Sequence, residues 1–224
     1  MNHMVVSRLF QVSEFGPVST QTHLPQLVHL RQGDMDGACG PYCVVMALIA
    51  LGVMTRREAE NMDQFDGRER SGRFRNGLKR FGALIAEGTS SSELQWLADF
   101  FKSEKLRAEP VGGKTKDVFV GINNAIDADA LPIAFLRWGG GAAHWVLVVG
   151  YQGVERDGKI FETHLLCLDP GQESPRTGIW NAVVEVYKPD GSSIGDGRLP
   201  SAHWGLDGGR GKCKLEEAVV LSIG

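Results

Sequence analysis

The sequence predicts an α+β chain with helices first and an antiparallel sheet second. Three observations carry that expectation. Helix-favouring, apolar-periodic segments fill the first 130 or so residues. Four strand-like runs separated by glycine or Asp-Gly turns fill the second half. Helices and strands do not alternate, which excludes a βαβ parallel sheet.

In chain order, residues 1–33 read as irregular, with an extended piece at QLVHLRQ (26–32). CGPYCVVMALIAL (39–51) reads as a buried helix stopped by Gly52. Thr55 with Glu58 three residues on forms a capping-box signature for a short polar helix over 55–63. DGRERSGRFRNGLKR (66–80) is glycine-rich and basic and reads as a solvated connection. SSSELQWLADFFK (90–102) is an amphipathic helix with Leu94, Leu97 and Phe101 on one face. A strand over 106–111 and a helix over 115–129 follow. The strands are LPIAFLRW (131–138), AHWVLVVGY (143–151), FETHLLCLD (161–169), AVVEVYK (182–188) and a last one over 214–222. Residues 189–212 form a glycine-rich excursion, the expected mobile loop.

Composition sets the outer limits. The 224 residues are 42% hydrophobic and 23% charged, which suits one domain spanning 1–224 with a full core. The 24 basic against 27 acidic residues give a net charge of -3, so no bulk field points to nucleic acid or a membrane surface. The apolar run 44–54 is too short to span a bilayer. The N-terminus lacks the basic and apolar regions of a signal peptide, so the expected location is the cytoplasm, or outside the cell by export without a cleavable signal. Four irregularly spaced cysteines do not make a disulfide framework and favour a reducing compartment.

The chemistry centres on DMDGACGPYC (34–43). A redox reading of Cys39 and Cys43 fails on spacing, because Tyr42 makes the pair CxxxC, and on context, because no apolar strand precedes it. A zinc site built from Cys39, Cys43, His164 and Cys167 has an uncommon ligand spacing, and Cys43 and Cys167 sit in apolar runs that suit small buried side chains. Cys213, between two lysines, reads as an exposed or half-buried thiol. A nucleophile reading fits better. Gly37 and Gly40 flank Cys39, and Pro41 suits a first helical turn, so Cys39 stands where orphan N–H groups and the helix dipole favour a thiolate.

A thiolate nucleophile needs a base, and the base an orienting group. His3, His23 and His29 lie in the irregular N-terminus, and His164 lies mid-strand. His144 opens the strand HWVLVVGY after a glycine loop, whereas His203 lies in the glycine-rich excursion, a poor platform for fixed geometry. His144 is therefore the preferred base. Asp169, at the end of LLCLD, can reach its distal nitrogen and fix the tautomer, or serve only as a turn former in Asp-Pro-Gly. Gly139–Gly141 is no phosphate loop, since a strand follows it, and no HExxH motif is present.

Gln32, Cys39-Gly40 with its apolar helix, LPIAFLRWGGGAAHWVLVVGY and LLCLDPG, taken in that order, resemble the papain-like cysteine peptidases. The nearest branch is the C39-like group related to bacteriocin-processing peptidases. The resemblance implies a papain-like cysteine proteinase fold, with the nucleophile at a helix start packed on the sheet. It also implies Cys39 as nucleophile, His144 as base, Asp169 as orienter and Gln32 as an oxyanion donor, with no cofactor and no metal. The implied partner is a peptide or protein substrate. The departures are Ala38 where the family has an acid, one extra residue between Gln32 and Cys39, a long middle segment and an unmatched stretch after Gly171. Gly33 and Gly37 are expected to absorb the extra residue as a bulge. The fold also hosts deamidases and amidases of the toxin and effector kind and inactive binding modules, so it fixes acyl chemistry rather than substrate.

Overall fold

A computed structural model describes residues 2–33, 37–80 and 88–224. The element order is β1 (Asn2–Val6), β2 (Phe10–Ser13), β3 (Gly16–Ser19), α1 (Cys39–Ala50), α2 (Arg56–Glu60), α3 (Arg70–Arg80), α4 (Ser91–Ala98), β4 (Leu106–Val111), α5 (Thr115–Asp127), β5 (Leu131–Trp138), β6 (Ala143–Arg156), β7 (Lys159–Leu168), β8 (Ala182–Glu185), β9 (Ser201–Gly205) and β10 (Arg210–Ile223).

The chain is mixed helix and sheet, and the sheet is more than the open layer the sequence suggested. Its pairings run β6-β5-β10-β9-β8-β7 and return to β6, so the last six strands close into a barrel-like ring. All those pairings are antiparallel. Closure removes the free edges that an open sheet would leave. The two long strands carry extensions beyond the ring. β1 takes over from β5 on β6, with Val5 opposite Tyr151, and β4 takes over from β9 on β10, with Glu109 opposite Val220. Gly150 permits the first of these, because a Cβ there would meet the backbone of Val5 and Val6.

Period-two alternation sorts the strand residues onto two faces. Leu136, Val146, Val148, Leu165, Cys167, Val184, Cys213 and Leu215 join Phe119 and Ile122 of α5 in one cluster. Ile133, Leu147, Val149, Leu168, Val219 and Leu221 face α1 and α4 in the other. Helix α1 is apolar all round and is covered on nearly every side, as such a helix must be. Leu94, Leu97 and Phe101 are fully buried, as their shared face predicts. The expected 90–102 helix breaks, however, into α4 and a 3-10 stretch, Asp99–Glu104. Both capping boxes form, at Thr55 with Glu58 and at Ser90 with Glu93.

Four expectations need correction. The N-terminal segment is ordered as β1 and the β2–β3 hairpin, whereas 26–32 contributes only a bridge from Leu27 to Val18. The basic stretch is helical in α3, because Phe74 is fully buried against Phe100 and Phe101. Its arginines are anchors: Arg70 pairs with Glu58 and Glu104, and Arg75 donates to the carbonyls of Met62 and Asp63. The excursion contains β9, which pairs on both sides. Cys213 is fully buried, since alternation turns Lys212 and Lys214 outward and Cys213 inward. Among the described residues no helix is long and apolar enough to cross a membrane.

Removing the aromatic ring that holds α3 tests that correction. Phe74→Ala is expected to lower unfolding free energy by about 3–5 kcal/mol, read by urea denaturation.

Candidate active site

Helix α1 begins at Cys39, with Ala38 as its N-cap; no side chain caps this end and no acid lies in its first turn. The positive end of the dipole is therefore left to the sulfur. Gly40 lets the first turn of α1 lie tight against its neighbours. A Cβ at Gly40 would collide with Thr89 Oγ1 and come within 2.9 Å of Leu94 and 3.0 Å of Trp145.

The two cysteines of CxxxC clamp the backbone of one residue of β6, Trp145. The N–H of Trp145 donates to Cys39 Sγ at 3.4 Å, and Cys43 Sγ, one turn on, donates to the carbonyl of Trp145 at 3.4 Å. All four cysteines are free thiols. Burial pushes Cys43 and Cys167 well up and Cys213 to about 12, which keeps those three protonated near neutrality. Cys43 thus packs on the strand that carries His144, and the spacing needs neither redox nor metal chemistry to explain it.

His144 is the second residue of β6, opposite Leu136 of β5, with its side chain 18% exposed. Its Nε2 lies 2.6 Å from Asp169 Oδ1. A carboxylate only accepts, so Nε2 carries the proton, and the other ring nitrogen is left for the hydrogen bond to Cys39. Burial alone would lower the pKa of His144. The hydrogen bonds to Asp169 and to Cys39 outweigh it and raise the pKa to about 10. The imidazole is therefore held in its charged form around neutrality.

Asp169 follows β7 directly and is almost fully buried. Burial raises its pKa, but hydrogen bonds from His144 and then His203 win and hold it well below the usual carboxylate range. The oxygen that meets His144 also forms the turn: the N–H of Gly171 donates to the same Oδ1 at 2.7 Å.

His203 is the residue the sequence undervalued. It lies in β9, between Val184 of β8 and Gly211 of β10, and its Nε2 meets Asp169 Oδ2 at 2.9 Å. The Trp138 ring stands 5.7 Å from it and 6.4 Å from His144. The sequence gives no sign of Asn181 and places His29 among the surface histidines of the irregular N-terminus. Asn181 brackets the Asp169 backbone, accepting from its N–H at 2.6 Å and donating to its carbonyl at 2.9 Å. His29 is buried rather than on the surface, its pKa lowered chiefly by burial, and its Nε2 lies 3.0 Å from the Asp169 carbonyl. No local pattern marks either residue, because each acts across a long sequence separation.

Gln32 is brought beside the site. Its N–H donates to the Pro170 carbonyl at 2.8 Å, and its Oε1 is buried without a partner. Residues 34–36, where the bulge was expected, lie outside the described residues. His164 points elsewhere, to Thr163 and Glu185. Among the described residues no cluster of histidine, cysteine or carboxylate side chains suits a metal ion.

No protein-family model matches this sequence, and no curated protein matches it. Among solved structures, the crystal structure of UfSP from C. elegans is similar, with a TM-score of 0.46 and 12% identity over 99% of this chain and 34% of that one. This chain spans about a third of that protein's length, and a likeness of that size carries no argument about what this chain does.

Three variants test the geometry. Gly40→Ala is expected to cost activity and stability together, because Thr89, Leu94 and Trp145 must all shift. His203→Ala is expected to lower turnover about 10- to 100-fold, the loss typical of a hydrogen bond to a charged group, with steady-state rates as the readout. His144→Ala is expected to abolish turnover.

Proposed function

We propose that this chain is a papain-like thiol hydrolase that cleaves a peptide or amide bond through Cys39, His144 and Asp169. The observation that carries the reading is one chain of contacts: a cysteine at a helix start, hydrogen-bonded to an imidazole whose far nitrogen meets a buried carboxylate at 2.6 Å. Nucleophile, base and orienter are each in reach of the next, as acyl transfer requires.

The cycle balances on these groups alone. The Cys39 thiolate attacks the substrate carbonyl carbon, forming a C–S bond and driving the π electrons onto oxygen. The backbone N–H of Cys39 and the side-chain amide of Gln32 hold that oxyanion. Collapse breaks the C–N bond, and charged His144 gives its proton to the departing amine. Water then attacks the thioester while neutral His144 takes its proton, and the C–S bond breaks to return the thiolate. For Gln32 the support is its seat beside the turn after Asp169, fixed by its backbone N–H donating to the Pro170 carbonyl at 2.8 Å. The C39-like branch, a bacterial origin and a toxin or effector role belong to the resemblance alone. Deamidation would follow the same steps on a side-chain amide.

Labelling with a thiol-alkylating peptide probe and mapping by mass spectrometry is expected to find Cys39 and to spare Cys43, Cys167 and Cys213. Cys39→Ala is expected to abolish turnover with the fold intact, and Cys43→Ala to retain activity. Gln32→Ala is expected to lose about 10²–10³ in turnover while Cys39 still alkylates. Labelling at another thiol, or a fully active Cys39→Ala, contradicts the reading.

A further inference from the structure

We propose that the cleft beside Cys39 is a subsite for a cationic substrate side chain, lysine or arginine, with Glu217 as its specificity-determining residue. This rests on the hydrolase reading above. The cleft has a volume of about 460 Å³ and is lined by Cys39 itself, by Thr89, Ser90 and Glu93 at the start of α4, and by Phe135, Arg137, Trp145 and Glu217 of the sheet. That volume suits a long side chain.

A β-bulge aims Glu217 there. The register of β10 on β5 slips between Leu215, opposite Leu136, and Glu217, opposite Phe135. Leu215 and Ala218 both stay on the inner face of the ring, three residues apart instead of two, while Val219 and Leu221 face α1. Glu217 falls in step with Val219 and Leu221, on the side where Cys39 lies. Bulges of this kind re-aim a side chain next to a site.

The charges settle the sign. Arg137 pairs with Glu216 at 2.5 Å, a carboxylate that also takes Lys214 at 3.2 Å. Glu93 spends Oε2 on Ser90, accepting from its N–H at 2.7 Å and its hydroxyl at 2.8 Å, but keeps its charge. Glu217 has no cationic partner among the described residues. Two carboxylates thus face the cleft against one guanidinium that is paired. Phe135 is half-buried, and its ring already carries the Arg137 guanidinium 5.1 Å from its centroid and Trp145 at 4.7 Å.

The test measures kcat/KM on peptides that are identical except for arginine, lysine, norleucine or glutamate at each position flanking the scissile bond. At one such position the basic residues are expected to exceed norleucine by about tenfold, with the ratio falling as salt is added. Glu217→Gln is expected to bring that ratio near one, and Glu217→Lys to favour glutamate. In parallel, Cys39 alkylation is compared for a guanidinium-bearing and a neutral chloromethyl ketone. Cleavage with no basic preference, or a preference that survives Glu217→Gln, overturns the subsite and leaves the hydrolase reading standing. Faster labelling by the cationic reagent without cleavage of any peptide supports the subsite and overturns the peptidase.

Discussion

The buried carboxylate of Asp169 is the interaction on which the rest of the site depends. One oxygen takes His144 and the Gly171 N–H, the other takes His203, and Asn181 grips the backbone on both sides. An ionised acid so deep in a protein is costly unless it is fully hydrogen-bonded. Here the partners come from β6, the turn after β7, the segment before β8, and β9. Closing the ring of strands is what brings them together. Stability and chemistry therefore share one requirement: the ring must close in register for Asp169 to stay ionised and for His144 to face Cys39.

That arrangement sets a pH window. Asp169 has a lowered folded pKa, so its contribution to stability is present above the unfolded carboxylate range and is lost as pH falls through the lower folded value. His144 has a raised pKa, so its contribution is complete below about 6.5 and is lost as pH rises through about 10. Both are in force together over the mildly acidic range, and the pairing weakens only gradually above it.

Much of this was legible in the sequence, and the rest fails for physical reasons. The Cys39 helix start, His144 at a strand opening and Asp169 before Pro-Gly are local signals: helix propensity, a glycine loop, an apolar strand ending in an acid. His203 and β9 are not. Glycines and aspartates surround the short strand Ser201–Gly205, and only its pairing with β8 and β10 makes it one. Asn181 and His29 act on Asp169 across long separations, which no local period encodes. The helix α3 was hidden by a basic composition, since one buried ring, Phe74, outweighs many exposed charges. Cys213 was readable after all: Lys-Cys-Lys-Leu-Glu alternates with period two, and that alternation puts the thiol inside.

The central claim is that Asp169 and Cys39 together keep His144 charged at neutral pH. Nitrogen-15 NMR of the His144 ring, followed from about pH 5 to about pH 11, tests it most directly, because the shifts of the two ring nitrogens report charge and tautomer. A midpoint near 10 in the wild type, displaced downward in Asp169→Asn, is the expected result. A midpoint near 6.5 in the wild type, unmoved by Asp169→Asn, would contradict it.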